Sequence, residues 1–111
     1  MDLGKELTGA STGLLVLSVL AAEASYGYQI IKRLNDTGEG HFTWQEGTVY
    51  PILHKLEKEG YVRAQWQQAD TGRKRRYYYI TASGRGALAS GTEQWNAYHG
   101  MIARLREQAN G

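Results

Sequence analysis

A chain of 111 residues with 41% hydrophobic and 22% charged side chains has the size and balance of one small globular domain, which excludes a disordered tail or a fibrous polymer. Cysteine is absent, so disulfide staples, thiolate catalysis and cysteine-ligated zinc are excluded. The formal charge of +2 hides an uneven distribution: residues 61–86 carry Arg63, Arg73, Lys74, Arg75, Arg76 and Arg85 against Asp70, a local +5 that leaves −3 elsewhere. A polyanion approaching from a distance meets that one patch.

The apolar run Leu14–Ala24, broken by Ser18 and Glu23, is much shorter than the roughly 20 residues of a bilayer span. Its flank of Asp2, Lys5 and Glu6 lacks the form of a secretory presequence, so a cytoplasmic protein without membrane association is expected. The run predicts a first helix from about Ala10 or Ser11 to Ala24, with Leu14, Leu15, Val16, Leu17, Val19 and Leu20 covering nearly its whole circumference. Such a helix needs apolar partners on two sides, the domain's own core and a second subunit.

Ser25 is placed to cap a second helix ending near Asn35, in which Gly27, Ile30, Ile31 and Leu34 recur at helical spacing. Asp36–His41, with two glycines, reads as a loop. Thr43 and Glu46 have capping-box spacing for a third helix with a core stripe of Val49, Ile52, Leu53 and Leu56 and a C-terminal Gly60. A start at Thr43 puts Pro51 inside the helix and leaves the Gly47 carbonyl without its amide partner; capping by Thr48 would instead put the proline in the first turn. The earlier start is preferred.

Tyr61–Gln67 and Arg75–Ile80 alternate as two strands, and Ala69–Arg73 between them has turn chemistry. This β-hairpin holds the basic cluster at its tip and in its descending strand. Thr81 is placed to cap a long final helix, where Leu88, Gly91, Trp95, Tyr98, Ile102, Leu105 and Ala109 follow a 3,4 spacing, the seam of a helix packed on another helix. One small head cannot cover that seam, so it predicts dimerisation, with the apolar first helix of the partner as the facing surface.

Three helices followed by a hairpin is the order of a winged helix-turn-helix, a mainly α fold with a small β-hairpin whose third helix enters a DNA major groove. Three segments, Ser25–Ile30, Gly47–Val62 and Gly72–Gly84, contain the strings Ser-Tyr-Gly-Tyr, Gly-Thr-x-Tyr-Pro-x-Leu-x-x-Leu-x-x-x-Gly and Tyr-x-Ile-Thr-x-x-Gly. They resemble the PadR family of bacterial transcriptional regulators over most of the chain, and the central string is the specific one. Trp44, Gln45 and Glu46 occupy a stretch that the family fills variably. The resemblance implies a homodimeric repressor, with a winged-helix DNA-binding domain at 1–82 and a C-terminal dimerisation helix at 83–111, often relieved by a small phenolic or hydrophobic effector. The length corresponds to the short subgroup with a single C-terminal helix.

On the third helix, Thr48, Tyr50, Pro51, His54 and Lys55 lie on or beside the edge opposite the core stripe, with Lys58 at the far end, and are candidate DNA contacts. An ordinary solvated face is the plain alternative, and Tyr50 could equally serve as a buttress. On the hairpin, Arg73, Lys74 and Arg75 are candidates for phosphate or minor-groove contact. Arg76 shares the strand face of Tyr78 and Ile80, which makes Arg73 and Lys74 the firmer assignments. Tyr26, Tyr28, Gln29 and Lys32 on the second helix could hold phosphate, or pack. Leu15, Val19, Trp95, Tyr98, Ile102 and Leu105 are assigned to the dimer interface, with Trp95 and its mate as candidate walls of a pocket for a flat apolar effector.

Catalysis finds no support: His41, His54 and His99 are isolated and no nucleophile is paired with a base. No cofactor or metal site is expected, and the partners expected are double-stranded DNA, a second copy and a small aromatic or hydrophobic effector. Two rivals remain: a winged-helix protein-interaction module, and a hydrophobic-ligand-binding dimer, each without DNA binding.

Overall fold

The computed structural model describes residues 3–110. Its elements are α1 (Leu3–Ala22), β1 (Ser25–Tyr26), α2 (Gly27–Gly38), α3 (Glu46–Lys58), β2 (Val62–Gln68), β3 (Lys74–Ile80) and α4 (Ala82–Asn110). The strands form one antiparallel sheet in the order β1-β3-β2. This is the winged helix-turn-helix expected, with a third strand added. No described helix is long and apolar enough to cross a membrane.

The core gathers the stripes read from the sequence. Val16, Leu17, Val19 and Leu20 of α1 meet Ile30 and Leu34 of α2, Val49, Leu53 and Leu56 of α3, and Val62 and Tyr78 of the sheet. The near-continuous apolar surface of α1 has its reason in this placement, because α1 touches α2, α3, α4 and β3.

Four boundaries differ most from the sequence expectation, each for a stated reason; α1 also ends at Ala22 rather than Ala24, β2 runs Val62–Gln68 and β3 begins at Lys74. Helix α1 begins at Leu3 rather than near Ala10. The hydroxyls of Thr8, Ser11 and Thr12 donate to the carbonyls of Gly4, Leu7 and Thr8, so residues that favour turns are accommodated inside the helix. Ser25 does not cap α2; it pairs with Tyr78 in β1–β3, and the cap position belongs to Tyr26, whose amide donates to Gln29 Oε1 at 3.2 Å.

Helix α2 runs on to Gly38 and closes through Glu39 in the left-handed region, φ 52°. Helix α3 starts at Glu46, with Gln45 at the cap, rather than at Thr43. Trp44 is the cause: its indole is in the core, and its backbone is clamped by Asn35, whose Oδ1 accepts from Trp44 N at 2.8 Å while Nδ2 donates to Trp44 O at 3.0 Å. A segment held in this way stays extended, and the capping box cannot close. Pro51 nonetheless lies inside α3, as the earlier start required.

Thr81 caps α4 as expected. Its Oγ1 accepts from Gly84 N at 3.0 Å and donates to Gly60 O at 2.7 Å, while its amide donates to Tyr61 O at 3.1 Å. Gly84 is obligatory in this junction, because a Cβ there would collide with the Tyr61 carbonyl oxygen. The first turns of α4 pack through Ala87 and Leu88 on the core, and Gly91 lies against Leu14. From Trp95 onward nearly every residue is exposed, and the helix gives the chain its longest dimension of 60 Å.

Candidate nucleic-acid interface

The start of α2, the outward edge of α3 and the β2–β3 wing enclose one groove of about 370 Å³. It is lined by Tyr26, Tyr28, Tyr50, His54, Trp66, Arg73, Lys74, Arg75 and Arg76. Gly27 and Tyr78 complete the lining, and seven of its eleven residues are among the candidate DNA contacts of the sequence, so residues separated by nearly fifty positions converge on one concave surface. Pro51 and Lys55 are exposed on α3 outside that lining, and Thr48, also exposed, lines a separate pocket with Thr8, His41, Phe42 and Gln45.

The seating of α3 on α2 depends on Gly27. A Cβ at that position would run into the hydroxyl and ring of Tyr50, so only glycine lets the phenol settle there. Tyr50 packs against the core as well as lining the groove, which favours the buttress among its two expected roles. Gln29 is half-buried and its Oε1 takes the Tyr26 amide, so its carbonyl oxygen already has a structural partner. Tyr28 is 60% exposed. Lys32 donates to Asp36 at 2.8 Å, and that hydrogen bond with its charge raises the lysine's pKa above 10.5.

The wing tip is a closed turn. Ala69 N donates to Arg73 O and Gly72 N to Ala69 O, both at 2.9 Å, with Gly72 at φ 85°. Gln68 Nε2 adds a bond to Gly72 O at 2.9 Å. The four consecutive cations after this turn divide by their partners. Arg73 and Lys74 are exposed and have no ion-pair partner among the described residues. Arg75 is half-buried, its guanidinium 4.8 Å from the centre of the Tyr26 ring, which in turn meets Tyr77 edge-on at 5.4 Å. Arg76 reaches across to α3 and pairs with Glu57 at 2.8 Å, over the ring of Tyr78. A half-exposed pair of this kind contributes roughly 0–1 kcal/mol; its effect is to fix the angle between wing and helix.

Two participants escaped the sequence reading. Glu57, an acid near the end of α3, holds Arg76, a partnership that no local spacing announces. Trp66 of β2, absent from the candidate contacts, is 66% exposed in the groove. Strand alternation carried the signal: Trp66 continues the face of Val62 and Ala64 toward the tip, where the core no longer covers it.

The second cluster of candidates shares no lining residue with the groove. A cavity of about 340 Å³ between α1, α4 and the α2–α3 loop is lined by Leu7, Leu14, Leu15, Leu34, Phe42, Trp44 and Trp95, with several hydroxyls. Leu15 and Trp95 therefore line one cavity within a single chain, whereas the expectation set them facing each other across a subunit interface. Val19 does not join them: it is 8% exposed within the protomer's own core, because α1 turns that side inward. Tyr98, Ile102 and Leu105 stand further along α4, more than half exposed.

The sequence matches the transcriptional regulator PadR-like family over residues 16–90. A transcriptional regulator of Mycobacterium tuberculosis is 33% identical over 84 residues, which cover 76% of this chain and 75% of that one. Among solved structures, a PadR family transcriptional regulator from Eggerthella lenta superposes with a TM-score of 0.79 at 31% identity, covering 90% of this chain and 85% of the other. A transcriptional regulator from Clostridium thermocellum superposes with a TM-score of 0.82 at 26% identity over 89% of this chain and 96% of its own. With the family match spanning both the helix-turn-helix and the wing, the chain belongs to the PadR-like family of transcriptional regulators.

Proposed function

We propose that the protein is a homodimeric repressor whose two grooves read the halves of an inverted-repeat operator. The observation that carries this reading is the convergence of two uncharged side chains of α3, Tyr50 and His54, and a cationic tip, Arg73 and Lys74, on one groove. The helix edge suits base edges in a major groove and the tip suits the flanking phosphates. The Gly47 carbonyl, deprived of its amide partner by Pro51, is a further acceptor at the start of the helix.

Dimerisation is supported by the tail of α4. Beyond Trp95, the side chains Tyr98, Met101, Ile102 and Leu105 are 52–69% exposed, and nothing among the described residues covers them. An isolated helix of about 12–15 residues is marginal in water, so the tail needs a second copy to remain ordered. The cavity at Leu15 and Trp95 suits a small aromatic or hydrophobic effector, and occupying it would alter the α1–α4 packing that sets the spacing of the two heads.

Selection of bound duplexes from a random pool tests the proposal. The expected result is enrichment of an inverted repeat whose half-site centres lie about one helical turn, roughly 34 Å, apart. Recovery of single half-sites, or no enrichment, overturns it. The hydrophobic-ligand carrier is the second reading that an observation favours, through the same cavity; tryptophan quenching by planar hydrophobic compounds with no duplex affinity would establish it instead.

A further inference from the structure

Trp66 pairs across the wing with Arg76 and continues the strand face on which Val62 is buried and Ala64 half-buried. At 66% exposure its indole forgoes most of the burial that stabilises such a side chain elsewhere. Nothing among the described residues covers a tryptophan at this position.

Its surroundings restrict what would cover it. Arg73, Lys74 and Arg75 line the same groove, as does the exposed ring of Tyr28. Arg76, directly opposite the indole, is held by Glu57 at 2.8 Å, so the surface beside the indole is locally neutralised while the tip beyond it stays cationic. The occupant must present negative charge to the tip and an apolar edge to the indole a few ångströms away. The backbone of duplex DNA does both, since each phosphate is flanked by deoxyribose whose carbon edge borders the minor groove. A small inorganic anion offers no apolar edge.

We propose that Trp66 is a DNA-contacting residue of the wing, its indole packed on the deoxyribose edge of the minor groove while Arg73 and Lys74 neutralise the flanking phosphates. This rests on the DNA-binding reading above and adds to it a contact of a different physical kind. An apolar contact releases no counterions, so it strengthens binding equally at all ionic strengths; a phosphate contact steepens the salt dependence.

The test uses the full chain and a mixed-sequence duplex of about 30 base pairs, long enough for two half-sites, titrated at several salt concentrations. Trp66→Ala should lose about tenfold in affinity at every salt, the order expected for truncating an aromatic anchor, with its log K against log salt line parallel to the parent's. Trp66→Phe should retain most of the affinity, and Arg73→Ala with Lys74→Ala should flatten the line. Acrylamide quenching is the second readout: duplex should protect the part of the emission that Trp66→Phe removes. Unchanged affinity of Trp66→Ala, a changed salt slope, or emission equally quenched with and without duplex overturns the proposal. If the parent chain binds no duplex even in dilute salt, the failure belongs to the DNA-binding reading itself.

Discussion

Adding one methyl group at Gly27 tests whether the helix-turn-helix is set by the contact between α2 and Tyr50. The added carbon would overlap the Tyr50 hydroxyl and stand 2.6 and 2.7 Å from Cζ and Cε1, about 1 Å inside the optimum of roughly 3.5–4.0 Å for carbon contacts. Tyr50 also packs against the core, so its ring cannot retreat without displacing other side chains. Overpacking of this kind costs about 1–3 kcal/mol, against which alanine's better helix propensity returns at most ~1 kcal/mol. Gly27→Ala should therefore lower the melting temperature by roughly 5–15 °C for a domain of this size, measured by far-ultraviolet circular dichroism at one fixed protein concentration. Duplex affinity should fall with it, because Tyr50 sits on the helix that carries Thr48 and His54. In the Tyr50→Ala background the ring is gone and the same methyl should cost almost nothing, a coupling of at least about 1 kcal/mol. A Gly27→Ala variant as stable as the parent, or additive effects in the double variant, refutes the buttress.

The remaining predictions concern charge, protonation and assembly. With about four phosphates contacted per subunit, log K should fall with log salt at a slope near −7; Arg73→Ala with Lys74→Ala should flatten it for all sequences alike. Thr48→Ala or His54→Ala should instead change the preferred sequence in a selection experiment, and identical behaviour of the two sets refutes the division of labour. Burial raises the Tyr78 phenol above 10.0, opposed by Arg76 and reinforced by Glu57 and Tyr50. The unfolded chain therefore releases this proton at lower pH than the folded one, so the contribution is whole below pH 10 and is lost as pH rises from there through the folded value. Tyr78→Phe should show a shallower alkaline decline in chemical denaturation than the parent, and parallel curves would contradict the assignment. Ile102→Glu with Leu105→Glu should convert a dimer to a monomer in sedimentation while leaving the head folded, and an unchanged mass places the interface elsewhere.

What could be read from the sequence, and what could not, follows from the range of the interactions involved. The stripes Ile30/Leu34 and Val49/Leu53/Leu56 and the cap at Thr81 depend on neighbours within a few turns, and all stand where periodicity put them. The start of α3 was displaced because Trp44 answers to Asn35 across a loop, and β1 went unseen because a two-residue strand exists only by virtue of Tyr77 and Tyr78, half the chain away. The same distinction applies within the site. Sequence reading treats Arg73, Lys74, Arg75 and Arg76 as one block of charge, and alternation only separates their faces. Their partners divide them further: Tyr26 holds Arg75, and Glu57 holds Arg76. Two cations thus tie the wing to β1 and α3, so the exposed pair at the tip is presented from a fixed frame. Less freedom is then lost when a duplex is bound than would be lost by a flexible basic loop of equal charge.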